Sequence, residues 1–148
     1  MGIGVCWYGF GRAKEKTKDG KDFIIMLALG YLDAKKLRSN DDEFVRNDIS
    51  AIWEGDFDIN VKSDVRLAPS ACNSQPWKVL SEGNVLSVYR TEGNPSIMKG
   101  RFKEYFNSID IGIFLAFLEI SLTHHGYSFE KKVLSSNNLV AQYKINQL

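Results

Sequence analysis

Apolar residues along the chain follow distinct patterns, and each pattern predicts a different element. The run "DFIIMLALGYL", from Asp22 to Leu32, is almost entirely apolar and predicts a strand buried on both faces. Between Asn60 and Ala68, apolar residues recur at helical spacing, so the sequence predicts a helix that Pro69 stops. The two patterns place a buried strand and an amphipathic helix in the first half of the chain.

Between these elements the chain is polar. Residues 33 to 42, "DAKKLRSNDD", predict a charged loop, and Asp41 or Asp42 is a suitable N-cap for a short helix reaching about Asp48.

The later stretch "WKVLSEGNVLSVYR" alternates between apolar and polar residues on both sides of "EGN", which is the pattern of a hairpin.

The C-terminal part predicts one long helix and a second hairpin. The helix runs from about Ser96 to His125, in two pieces that meet near Asn107, with Gly126 at the C-cap position. The tail "YSFEKKVLSSNNLVAQYKINQ" has strand character around an Asn-rich turn. The predicted fold class is α+β, with helices packed on a mostly antiparallel sheet.

Composition narrows the class of protein without choosing a function. The 148 residues suit one domain, and 19 basic against 18 acidic residues give no field that favours nucleic acid. Two cysteines, neither in a CxxC pair, predict no disulfide framework or zinc knuckle and favour a reducing cytoplasm. The apolar run from Ile109 to Ile120 is too short for a membrane span, and no secretion signal is visible.

The loop "RLAPSACNSQPWKV", residues 66 to 79, has more directed hydrogen-bonding groups than a simple connection needs. Ser70, Asn73 and Gln75 can donate and accept in one plane, which suits the edge of a planar ring with heteroatoms. The same residues also suit a simpler role, which composition alone favours: satisfying backbone groups at a helix end. On the same grounds Trp77 is interpreted as a core residue.

Other candidate chemistry is sparse. Adjacent His124 and His125 point about 100° apart on a helix and cannot share one metal, so a helix-end role is favoured and no metal site is predicted. Cys6 is interpreted as a small buried residue, and Cys72 lies just past a predicted helix end rather than at a helix start, so no reactive thiol is predicted there. Glycines at positions 2, 4, 9 and 11 are typical of a segment that a ligand approaches closely.

Four segments resemble the FMN-dependent nitroreductase family. "APSACNSQPW" is similar to its A-P-S-x-x-N-x-Q-P-W loop, and "GIGVCW" to its G-L-G-x-C-W. "ALGY" with the later K-x-R at 36–38 is similar to a strand end and phosphate-binding pair, and "IDIGIFLAFLE" to the long helix with its D-x-G and later Glu. The resemblance covers most of residues 2 to 38 and 64 to 126, and implies a nitroreductase-like fold in partial or half-length form.

The resemblance also implies a site for FMN. Lys36 and Arg38 would bind the phosphate, and the backbone at Tyr8 and Gly9 would face flavin N5. Loop residues would contact the ring and ribityl chain: Pro69, Ser70, Ala71, Asn73 and Gln75. No catalytic acid or base is implied, because hydride passes from NAD(P)H to flavin N5 and on to an acceptor.

The order of the motifs implies a fused arrangement. The motifs that come late in a single-copy nitroreductase precede the early loop here, as in a subgroup with two fused halves. Residues 1–38 would end a first half, 39–63 connect, and 64–148 form the second half. The family's R-R-S-x-R is not in this sequence, so the resemblance implies that a partner chain or an N-terminal half completes the site.

The function implied is an FMN-dependent oxidoreductase that passes hydride from NAD(P)H to nitroaromatic or quinone-like acceptors. Its partners would be NAD(P)H, a small aromatic acceptor and a second copy of the chain in a dimer, in the cytoplasm, with no nucleic acid or membrane. Two alternatives remain open at this point: a non-catalytic flavin- or ligand-binding remnant, and a structural fragment that only dimerises.

Overall fold

A computed structural model describes residues 3–9, 11–15, 17–23, 25–31, 38, 40–136 and 138–147. The chain divides into two compact units, Met1–Glu43 and Phe44–Leu148. Most of the predicted loop at 33–42 lies outside the described residues.

The first unit is built from paired strands. Strand β1 (Ile3–Tyr8) pairs antiparallel with β4 (Met26–Tyr31), and the two-residue strands β2 (Thr17–Lys18) and β3 (Lys21–Asp22) pair with each other. Strand β1 was not predicted from the sequence.

The prediction of a strand buried on both faces is wrong. Strand β4 has a single neighbour among the described residues, and its side chains are exposed along its whole length, Leu29 to 68%. An apolar run shows that side chains would gain from leaving water, but it does not supply the surface that covers them. Cys6, on the paired strand, is likewise exposed rather than buried.

The second unit holds a five-stranded sheet and three helices. In order, its elements are the helix α1 (Ile49–Ile52), β5 (Trp53–Glu54), α2 (Ile59–Arg66), β6 (Trp77–Glu82), β7 (Val85–Arg90), α3 (Gly100–His124), β8 (Tyr127–Ser136) and β9 (Leu139–Gln147). The strand order is β5-β6-β7-β9-β8, antiparallel except for the parallel pair β5–β6. The α+β class is confirmed.

Both predicted hairpins are present, and their turns follow the sequence. Residues 83 and 84 join β6 to β7, and Gly83 has a φ of 59° that suits a tight turn. Asn138, with a φ of 64°, lies in the turn between β8 and β9. Asn and Gly tolerate this backbone region better than other residues do.

The helices differ from prediction in extent. The helix predicted at 41–48 is only a 3₁₀ turn, Asp41–Glu43. Asp48 is extended, and the next helical residues are Ile49–Ile52. Helix α2 is confirmed, and Asp58 caps it by accepting from the Asn60 N–H at 2.8 Å.

The long helix is one continuous piece, so the predicted break near Asn107 is wrong. Asn107 stays helical because its side chain lies buried beside the hydroxyl of Ser74 instead of competing for the backbone. The helix ends as predicted, with Gly126 at a φ of 80° after His125.

Helix α3 is the central helix of the core. By length and composition it is one that could cross a membrane. However, Phe114, Leu118 and Leu122 are fully buried in a cluster shared with α2 and the sheet, which is the pattern of a core helix in a soluble fold. The same cluster fixes where Asp110, four residues before Phe114, meets the loop between α2 and β6.

Candidate functional site

Five of the predicted site residues lie together in the loop between α2 and β6. They are Pro69, Ser70, Ala71, Asn73 and Gln75. Tyr8 and Gly9 lie at the end of β1 in the first unit, where both are exposed, and Arg38 is exposed in the same unit. Lys36 lies outside the described residues.

The backbone of the loop is unusual. Three residues that are not glycine have positive φ: Cys72 at 49°, Asn73 at 55° and Gln75 at 47°. The left-handed region costs residues such as Cys and Gln about 1 kcal/mol or more, whereas Asn tolerates it better. A loop with three such residues in four positions keeps its shape only if its surroundings hold it, and strain of this kind concentrates at functional sites.

One set of contacts comes from the segment just before α1. The side-chain oxygen of Asn73 accepts from Arg46 Nη1 at 3.0 Å and from Gln75 Nε2 at 3.3 Å. The side-chain oxygen of Gln75, a residue only 2% exposed, accepts from the Asn47 N–H at 2.9 Å. Both amides therefore bind the loop to its own fold, which is the simpler role that composition favoured.

The second set of contacts comes from α3. Asp110 is 2% exposed, and its carboxyl accepts from the Ala71 N–H at 2.8 Å and lies 3.2 Å from the Ser74 hydroxyl. Burial raises the pKa of Asp110 to about 6, against the lowering effect of these two donors. Ser74 is fully buried, and its hydroxyl is also 3.3 Å from the side-chain oxygen of Asn107.

A third contact comes from the segment after β7. The Asn94 N–H donates to the carbonyl of Ser74, and the preceding Gly93 has a φ of 67°. A Cβ added to Gly93 would meet that same carbonyl oxygen at 2.5 Å. Glycine is thus required here both by its backbone angle and by a close approach.

Trp77, which closes the loop, is a core residue as predicted. It is 2% exposed and stacks on Phe114, with ring centroids 4.8 Å apart. Its indole nitrogen is buried, and none of the described residues accepts a hydrogen bond from it. The tryptophan anchors the loop to the helix that also carries Asp110.

Several of these residues were missed by the sequence reasoning, namely Arg46, Asn47, Gly93, Asn94 and Asn107. They come from segments 44–48 and 93–94 and from α3, and only the folded chain brings them to the loop. The sequence did point to Asp110, because it is the Asp of the family's D-x-G run on the long helix. The Glu of that run, Glu119, accepts from Lys131 at 2.6 Å and from Tyr143 at 2.7 Å, and so joins α3 to the sheet.

The histidines lie at the end of α3, where a helix-end role was predicted. His125 Nε2 is 2.9 Å from Asp64 Oδ2, and the same oxygen accepts from Ser121 at 2.7 Å. Burial works to raise the pKa of Asp64, but these hydrogen bonds and the nearby histidines lower it below its ordinary value. Within the described part of the chain, no group of three or more His, Cys, Asp or Glu residues is placed to hold a metal ion.

The groups left over in the loop are donors. The Ser70 hydroxyl accepts from the Gln75 N–H at 2.9 Å, and no described acceptor takes its own hydrogen. The Asn73 amide uses one hydrogen, toward the Val45 carbonyl at 2.9 Å. A flavin ring gains negative charge on reduction and needs donors along its edge, so this part of the donor set fits FMN.

Comparison with known proteins places the chain. Residues 1–122 match the family described as "Putative TM nitroreductase". The chain belongs to this family. A solved structure of a putative nitroreductase from Thermotoga maritima superposes with a TM-score of 0.60 at 19% identity, which shows that the two share a fold.

The match covers 97% of this chain and 56% of the Thermotoga protein, so the chain spans just over half the length of that relative. No curated protein matches the chain. The family match and the shared fold with the Thermotoga protein confirm the predicted nitroreductase-like fold.

Proposed function

We propose that this chain is part of an FMN-dependent NAD(P)H oxidoreductase acting on nitroaromatic or quinone-like acceptors, and that it corresponds to the C-terminal portion of a fused two-half protein. Family membership and the order of the motifs support this, and so does the length relation to the Thermotoga protein. The observation that carries it is the loop at 69–76, whose strained backbone is held by three separate segments while donors of Ser70 and Asn73 stay available.

The chain's residues would bind and position the cofactor. Ser70 and Asn73 would donate to the ring edge or ribityl chain, with Pro69, Ala71 and Gln75 shaping the loop beneath them. Within the first unit, Tyr8 and Gly9 would present backbone toward the N5 of a flavin, and Arg38 with Lys36 would neutralise a flavin phosphate. The cofactor, when bound, supplies a hydride carrier between a nicotinamide and an acceptor.

Titration of the purified protein with FMN tests the binding step. We expect flavin absorbance to stay with the protein after gel filtration. Ser70→Ala should weaken FMN binding about fivefold, the worth of one hydrogen bond of about 1 kcal/mol. Ser108→Ala is the matched control, because the exposed Ser108 hydroxyl donates within α3 to the Glu104 carbonyl.

The outcomes separate the candidate functions. NADH oxidation that depends on a nitroaromatic acceptor supports the oxidoreductase. Bound flavin without turnover supports a non-catalytic binding remnant. If the chain takes up no FMN even when the family's N-terminal half is supplied with it, the proposal is refuted and a structural fragment is supported.

We also propose that two copies of the chain associate. Helix α3 has large apolar side chains on its exposed face, among them Phe102, Tyr105 and Ile120, the last 69% exposed. An apolar stripe of this kind on a soluble protein marks an interaction surface. Light scattering should show a dimer that Ile120→Lys dissociates and that Ile59→Lys, on α2, leaves intact; a monomeric wild type contradicts the proposal.

A further inference from the structure

Among the described residues, Asp110 is the acidic residue that joins the middle of α3 to the candidate site loop. Its carboxyl meets the Ala71 N–H and the Ser74 hydroxyl, one on each side of Cys72 and Asn73, which both have positive φ. The carboxyl is almost completely buried, and it forms no salt bridge with any described residue. A buried carboxylate without a cation is costly unless donors satisfy it or a proton neutralises it.

We propose that Asp110 is the positioning residue for residues 70–75: its carboxyl holds the loop in its strained shape, and its protonation controls how firmly the loop is held. Only one consequence of this inference rests on the proposed function, namely that FMN affinity depends on whether the loop is closed. The contact between Asp110 and the loop does not depend on any cofactor.

The groups around the carboxyl define what can titrate there. From the loop it faces the Ala71 amide and the Ser74 hydroxyl, and from its own helix the Asn107 side chain lies against the same hydroxyl. None of these changes charge. The titratable group in the same loop is the thiol of Cys72, which is exposed.

The direction of the effect follows from linkage. Asp110 has a raised pKa in the closed loop, so the closed loop binds a proton more readily than a loop opened to water. Raising the pH from about 3.8 to about 6 therefore favours opening, and the effect levels off at higher pH. With pKa values of about 6 closed and 3.8 open, the opening constant rises about tenfold from about pH 5 to about pH 7.5.

Hydrogen exchange of the amides of residues 70–75, corrected for the intrinsic pH dependence of exchange, measures this opening in the protein without cofactor. The wild type should show the tenfold rise. Asp110→Asn keeps an acceptor for Ala71 and cannot ionise, so its loop should stay protected with no pH dependence. Asp110→Ala should lose protection at both pH values.

Asp64→Asn is the control, since it removes a carboxylate that joins α2 to α3 away from the loop and should keep the wild-type profile. If Asp110→Ala does not fold, Ser74→Ala, which deletes the second contact, should raise exchange in the same amides. A flat wild-type profile, or a tenfold rise that persists in Asp110→Asn, overturns the proposal.

A separate titration with FMN distinguishes the two proposals. If the wild type binds FMN, its affinity should fall from about pH 5 to about pH 7.5 relative to Asp110→Asn. A wild type that binds no FMN even when the family's N-terminal half is supplied refutes the proposed function, while the exchange measurement still decides the role of Asp110.

Discussion

Replacing Asp110 by Asn should change how the stability of the protein depends on pH. Asn has nearly the same shape and carries no charge. Its oxygen can accept from the Ala71 N–H, and its NH₂ group can donate to the Ser74 hydroxyl oxygen, which in turn donates to Asn107. The substitution therefore keeps the hydrogen bonds and removes only the ionisation.

The sign and size of the effect follow from the shift. A carboxyl whose folded pKa is raised from 3.8 to about 6 contributes stability that is fully present below 3.8 and is lost as the pH rises through 6. Between about pH 4.5 and about pH 7.5 the loss for this group amounts to about 2 kcal/mol. The variant has no such loss.

The assay is urea unfolding, followed by circular dichroism, at a series of pH values. The free energy of unfolding of the variant minus that of the wild type should rise by about 2 kcal/mol across this range. Using the difference cancels the titration of all other carboxyls.

Asp64→Asn provides a control of opposite sign. The pKa of Asp64 is lowered, so its contribution is present at neutral pH and is lost on acidification. Because its side chain is about half exposed, the effect should stay below about 1 kcal/mol. A flat difference curve for Asp110→Asn would show that the carboxyl is hydrated in the folded protein and would refute the reasoning.

Further predictions concern Gly93, which lies against the site loop, and the contact between α3 and the sheet. Gly93→Ala should destabilise the protein by about 2 to 3 kcal/mol, because the added Cβ would meet the Ser74 carbonyl. Gly83 has a similar φ but open space around it, so Gly83→Ala should cost only about 1 kcal/mol. Equal losses of the free energy of unfolding in urea would contradict this prediction. Tyr143→Phe should cost about 1 to 2 kcal/mol by the same measurement, because it leaves Glu119 without the hydroxyl that donates to it; an unchanged unfolding midpoint would contradict this.

The elements that the sequence predicts well are those whose signals are local. Helix α2 carries its own periodicity and cap, and the two hairpins carry turns with Gly or Asn at positive φ. These features need no information from distant residues, because neighbours along the chain determine them.

The elements that were predicted wrongly depend on distant partners. The burial of β4 depends on what covers it, and an apolar run looks the same whether or not a cover is present. Asn107 looked like a break in α3 because its usual competition with the backbone is local, but here its side chain lies in a buried cluster with Ser74.

The candidate site was predicted only in part for the same reason. The residues of the loop could be chosen from their motif. That Gln75 is buried against Asn47, and that Asp110 lies beneath Ala71, depends on segments 28 and 39 positions away in the chain. A list of polar residues does not tell which of their groups are already bonded inside the protein.

The backbone at Cys72 has a consequence for the sequences that this loop can accept. Its side chain is exposed, so a mutational scan judged by contacts would rank the position as freely variable. At a φ of 49°, however, Val, Ile and Thr are strongly disfavoured, while Gly and Asn are accommodated. Selection at this position would then reflect the shape of the main chain, and restricted variation there would not by itself indicate that the thiol has a chemical role.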